Sequence, residues 1–395
     1  MKTKTIGILA GLTLIGTLVA ALVTREPVTQ TPQSGEPVFP QLMSVINDVS
    51  EILVETKEHI ITLVRREGEW GVKEKMGYRA DVEKVKSALV GLAELRLQDP
   101  KTKNPELYDR LGLLSKEKDG STSLTISVKT GESTPIAQVV IGNQKPAKSN
   151  PRLSEIYIRK PDDPQAWLVT GNLRLDRLPE EWLDKEITAL PTKRVRHVQV
   201  THPDKEVLDL SKEKPEDMDF QLDSIPTGYK VSSTFNLNNV VGTLVQLSLE
   251  DVRKESEMKF SADTGVKAMV ETFDGLRFHV QTAKEGEKVF GKFSAEFDQS
   301  LVKTNEENEP AKEEPQQSSE KDQEAAPPSE ETPSEKNPDI PKKEESLLKK
   351  PESVQQEVAA FNKRVGGWIY ELPKFRVENF AKHKKDLITP QSAQP

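Results

Sequence analysis

Apolar positions along the chain follow two periods. Ile52-Leu53-Val54 and Ile60-Ile61-Thr62-Leu63-Val64 are short runs of strand type, separated by the polar stretch 55–59. Arg66-Glu67-Gly68-Glu69 has turn composition, and Trp70-Gly71-Val72 follows as a strand. The period then changes: Val82, Val85, Leu89 and Leu92 lie three or four apart, on one face of a helix, with Asp81 placed to cap its first turn. Leu95 and Leu97 return to period two, which Leu124–Val128 and Gln138–Ile141 continue. Residues 142–152 read as a polar loop, Ile156–Ile158 and Trp167–Val169 as strands, and Leu178–Trp182 as the start of a short closing helix. Connections of hairpin length imply antiparallel pairing.

The same succession returns later. Val198 and Val200 form a strand, 202–205 a turn, and 207–210 the next strand. Phe220 takes the place of Trp70, and 236–244 is the equivalent helix, weakened by Asn238 and Asn239. Leu276–Val280 and Phe290–Phe297 are strands. Phrases recur as well. Gly77-Tyr78 matches Gly228-Tyr229, and Val90-Gly91 matches Val241-Gly242, both at an offset of 151. Leu95-x-Leu97-x-Asp99 matches Leu247-x-Leu249-x-Asp251 at 152, as 124–130 matches 276–282. Trp167 and Ile187 match Trp368 and Ile388 at 201, which places an insertion of 49 residues in the second copy. A period near 150 residues means duplicated tandem domains rather than a solenoid, whose units are shorter.

Thr5 to Val23 is a run of 19 uncharged residues, about 28 Å of helix and close to the roughly 30 Å hydrocarbon core of a bilayer. Lys2 and Lys4 precede it, which places the N-terminus in the cytoplasm and the rest of the chain outside. A cleaved signal peptide is the competing reading, but no Ala-x-Ala site closes the run. Residues 305–351 are rich in Glu, Pro, Ser and Lys and hold almost no large apolar residue, so they read as disordered.

The expected fold is therefore α+β. It has a transmembrane anchor (1–23), a Pro-rich spacer (24–40) and a first, mainly antiparallel domain with one packed helix (41–190). A related second domain follows in two parts (191–304 and 352–390), divided by the disordered insert (305–351).

Composition narrows the chemistry. The net charge of −8 speaks against nucleic acid as a partner, and the absence of Cys excludes disulfides, Cys-bound zinc and thiol nucleophiles. No Gly-rich phosphate loop, G-x-S-x-G, H-E-x-x-H or calcium loop is present. His197 and His202 fall on a strand and its following turn, a poor start for a joint metal site. Asp162-Asp163, Asp217 and Asp219 suit turns, and Trp70, Trp167 and Trp368 suit the core. Lys145, Lys148 and Arg152 offer a cationic loop, for which plain exposure is the simpler account. No catalytic, cofactor-binding or metal residue is nominated, and no cofactor is expected.

Several pieces resemble a bacterial family described as domain of unknown function 4340. They are the Lys-flanked N-terminal anchor, GEWGV at 68–72, GLAELRLQD at 91–99, LYDRLGL at 107–113, Ile141-Gly142 with Tyr157-Ile158-Arg159, and GWIYELPKF at 367–375. The resemblance implies a single-pass inner-membrane protein associated with ABC transporter components of the gliding-motility type. It implies no catalytic residues, and the acidic insert departs from it. The expectation is a non-enzymatic accessory, binding or scaffold protein, contacting the bilayer through residues 5–23 and a transporter permease or ATPase subunit. An envelope hydrolase with a site between the two domains, and a purely structural periplasmic tether, stand as alternatives.

Overall fold

The computed structural model describes residues 34–148, 150–302 and 348–391. The expected anchor at 1–23, most of the spacer at 24–40 and nearly all of the insert at 305–351 lie outside them. Among the described residues no helix is long and apolar enough to cross a membrane. The chain divides into two units, Met1–Asp184 and Lys185–Pro395.

The first unit contains β1 (Glu51–Glu55), β2 (Ile60–Arg66), β3 (Glu69–Val72), β4 (Tyr78–Arg79), α1 (Val82–Ala93), β5 (Arg96–Pro100), β6 (Leu124–Lys129), β7 (Ala137–Pro146), β8 (Ser154–Arg159) and β9 (Ala166–Gly171). They form one antiparallel sheet of nine strands in the order β4-β3-β2-β1-β6-β7-β8-β9-β5. α1 thus carries the chain from one edge of the sheet to the other. A helix of 12 residues is about 18 Å long, whereas eight flat strand spacings span about 38 Å. The sheet must therefore curl around the helix, and the helix buries Val85, Ala88, Leu89, Gly91, Leu92 and Ala93 in its hollow. Asp81 caps α1 as expected, its carboxylate accepting the N–H groups of Glu83 and Lys84.

The second unit contains β10 (Val195–Thr201), β11 (Val207–Ser211), β12 (Gln221–Leu222), β13 (Tyr229–Val231), α2 (Thr234–Val245), β14 (Asp251–Lys254), β15 (Lys267–Thr272), β16 (Leu276–Glu285), β17 (Lys288–Phe297), α3 (Pro351–Val365), β18 (Trp368–Leu372), α4 (Lys374–Phe380) and β19 (Ile388–Pro390). Its sheet runs β12-β11-β10-β15-β16-β17-β18-β14. Taken in chain order this is the sheet of the first unit, minus its outermost strand. β13, the counterpart of β4, pairs with β19 instead. The six buried positions of α2 (Leu237, Val240, Val241, Thr243, Leu244 and Val245) each stand 152 residues after those of α1. Two sheets of one order wrapped around one helix face mark a duplication.

The structure corrects several of the sequence matches. At the helix offset of 152, Gly91 corresponds to Thr243, so Val90-Gly91 and Val241-Gly242 match by coincidence. Gly91 is required where it stands, because a Cβ there would come within 2.5 Å of the Asn172 carbonyl oxygen. Residues 124–129 form β6, whose counterpart is β15; the strand at 276–285 is the counterpart of β7. Alternation identifies a strand but not its place in a sheet. Ile187 donates its N–H to the Leu247 carbonyl as Val38 donates to Leu95, so it opens the second unit rather than closing the first. The partner of Ile388 in the duplication is instead Leu183, which bridges Ala80 as Ile388 pairs with Val231.

Boundaries shift accordingly. Residues 35–38, read as spacer, pair with the 95–97 backbone, and Val38 and Phe39 are buried. Residues 185–190, read as part of the first domain, bond to Val245 and Leu247 of the second unit. At the end of the insert, the Lys349 N–H reaches the Asp274 carboxylate and Pro351 opens α3. The polar loop expected at 142–152 is strand as far as Pro146, with an irregularity between Ile141 and Gln144. Asn238 does not weaken α2: its side chain accepts the Phe220 N–H and donates to Asp219, tying the helix to the start of β12.

Candidate functional site

The second unit holds a cavity of about 290 Å³. Its walls come from the opening segment (Thr188, Leu190), the end of α2 (Val245), β16 (Leu276, Phe278), β17 (Ala295) and α3 (Glu357, Ala360, Phe361, Arg364). α3 has Pro351 at its first position and places Val354, Val358, Phe361 and Val365 on one face. It packs against β17. β17 pairs with β18 only from Val289 to Gly291, so Ala295, paired with Phe278 of β16, has no strand partner on its other side. Asn362 supplies one: its side-chain amide donates to the Ala295 carbonyl at 2.7 Å and accepts the Ala295 N–H at 2.8 Å.

The other anchor of α3 is ionic. Arg194, 2% exposed, donates Nε to Asp274 at 2.8 Å and both terminal nitrogens to Glu357, at 3.0 and 2.9 Å. Thr272 donates its hydroxyl to Asp274, and the Lys349 ammonium pairs with Glu357 at 3.0 Å. Burial works against the charge of Arg194, but its bonds to Glu357 and Asp274 outweigh this and raise the guanidinium pKa. Burial pushes the Glu357 carboxyl up; Arg194 and Lys349 outweigh this and hold it below the usual carboxylate range. Glu357 therefore reaches the cavity wall with its charge already matched.

Arg364 differs. Its Nη2 donates to the Ile187 carbonyl at 2.6 Å, its guanidinium lies 5.3 Å from the Phe361 ring centre, and its Nε is buried without a partner. It forms no ion pair with a described residue. Phe361 meets Phe278 edge to face at 5.3 Å. The cavity thus combines two aromatic walls, aliphatic sides and one cation whose charge no described carboxylate matches.

The histidines named by the sequence do not meet each other. His197 lies between Asp209 and Glu271 on the face of the sheet, one member of a ladder of cross-strand polar contacts that Arg277 extends to Glu271, Glu296 and Asp298. His202 is buried and stacks on His383 at 4.1 Å, with its Nε2 3.2 Å from the Lys382 carbonyl. Burial, then the neighbouring His383, lowers the His202 pKa. His383 Nδ1 lies 2.7 Å from Glu206. One donor atom each from Asp204, Glu206 and His383 lies within 4.8 Å of the others, the one described group that could hold a metal ion. Glu206 is already engaged there, by His383 and by the Lys384 N–H. Sequence reasoning missed this group because His383 sits at the start of the turn Lys384–Asp386, far along the chain from Asp204 and Glu206.

Other named residues have structural partners. Lys145 lies on β7 and pairs with Glu155 at 3.1 Å, so it is no free cation of a loop. Asp163 accepts the Gln165 N–H in its turn, and Asp217 accepts that of Lys214. Trp70 and Trp167 are buried, and Trp368 is covered by the Lys254 ammonium, 3.3 Å from the centre of its ring. No residue of the cavity was singled out as a site from the sequence. Arg364 and Ile187 stand 177 residues apart, and no local motif joins them.

A family model matches residues 70–268, half of the chain, from β3 of the first unit into β15 of the second. The chain belongs to that family, whose description is Domain of unknown function (DUF4340). No curated protein and no solved structure matches it.

Proposed function

We propose that the chain is a non-enzymatic binding and accessory protein of the bacterial envelope. It is held at the inner membrane through residues 5–23, faces the periplasm and serves an ABC-type transporter complex. The observation that carries the binding reading is the cavity of the second unit, because a helix with no counterpart in the first unit builds one wall of it. A concave, largely apolar site with a few polar groups is the usual form of a small-ligand site. Two exposed aromatics support a partner surface: Phe235, 73% exposed on α2, and Phe375, 60% exposed on α4, belong to helices that pack against each other. The membrane and transporter parts rest on the uncharged N-terminal run and on the family resemblance.

The test is capture of the full chain from gently solubilised native membranes by a C-terminal tag. Near-stoichiometric recovery of an ABC permease or ATPase subunit is the expected result. Recovery of the chain alone, across several mild detergents and after crosslinking, would overturn the accessory role.

A further inference from the structure

We propose that the cavity of the second unit binds a small amphipathic carboxylate, with its apolar body between Phe278 and Phe361 and its carboxylate on Arg364. Size sets the first limit. A cavity of 290 Å³ corresponds to about ten waters at about 30 Å³ each, room for a ligand of about ten non-hydrogen atoms, such as octanoate. The lining sets the second. Leu190, Val245, Leu276, Phe278, Ala295 and Phe361 offer apolar surface that a sugar or an inorganic ion would not use.

Charge sets the third limit. Glu357 is matched by Arg194 and Lys349, whereas Arg364 forms no ion pair with a described residue and keeps its buried Nε without a partner. A carboxylate is the planar acceptor that a guanidinium fits. The guanidinium is held in place by Phe361 beneath it and by the Ile187 carbonyl, so little ordering is needed on binding.

The inference rests on the binding reading above. Its test is isothermal titration of the full chain in lipid nanodiscs, with empty nanodiscs as reference, comparing octanoate with 1-octanol. Octanoate is expected to bind at least about tenfold more tightly, the worth of one charge-assisted interaction. Arg364→Gln keeps a donor for the Ile187 carbonyl but loses the charge, and should bring octanoate down to the affinity of octanol. Ala360→Phe fills the cavity from an exposed wall position and should weaken both ligands. Equal affinity for the two ligands, no binding of either, or a preference that survives Arg364→Gln would each overturn the inference. Co-purification judges the accessory role separately, so either idea can fail while the other stands.

Discussion

The two units use one sheet order and one helix face, yet only the second carries α3 between its last two hairpin strands. In the first unit β8 passes to β9 through a turn at 160–165. In the second, β17 reaches β18 only after the insert and the helix. The entry to the sheet differs in the opposite sense. The first unit runs a seven-residue 3₁₀ turn, Leu42–Asp48, which packs against α1 before β1 begins. The second has only Thr192–Arg194 there, and Arg194 turns inward to hold α3. A hairpin turn can absorb a long insertion because loop closure grows slowly with length, and the sheet beneath is untouched. What the insertion changes is the cover over the hydrophobic face. The comparison teaches that the duplicated sheet is the conserved scaffold within this molecule and that its cover is where the two copies part.

The largest effect that would sharpen this contrast comes from Arg194→Met. It leaves Asp274 without its charged partner and takes from Glu357 its bidentate one, a change that costs about 3–5 kcal/mol when a buried pair loses one member. Hydrogen exchange should show α3 and the neighbouring part of β17 losing protection while α1 keeps its own. Equal loss in both units would mean that α3 is not held as described. A smaller effect separates the two helix starts. Asp81→Ala should cost about 1 kcal/mol, because it removes a cap that bonds two backbone N–H groups, whereas Ser233→Ala should cost only a few tenths. Ser233 makes no such bond. Denaturant titration of the two variants checks the difference.

The smallest effect is a slope with pH. Unfolded, His202 takes up a proton near its ordinary value of 6.5; folded, it does so only at lower pH. The unfolded state therefore binds more protons just below that value, so stability is present above about pH 6.5 and declines as pH falls toward the folded pKa. His202→Gln should flatten this decline in the second unit. The first unit has the non-titrating Thr56 at the corresponding position. A slope unchanged in the variant would place its origin elsewhere.

The sequence by itself determined the duplication, the antiparallel strands, the helix face and the cap at Asp81. Each of these is written locally, in a period of two or near four or in a side chain that bonds a backbone two or three residues away. It misplaced Gly91 by one position and residues 124–130 by one strand, because short matches and alternating residues fix neither register nor place in a sheet. It missed α3 as the wall of a site, although its amphipathic spacing was present, because nothing local says which face of which sheet a helix covers. Only the tertiary structure decided that Arg194 neutralises Glu357, that His202 meets His383, and that Arg364 is left with an unmatched charge beside two aromatic rings. The first two pairings join residues more than a hundred positions apart, and pairing at such range depends on how the whole sheet curls, not on the residues nearby.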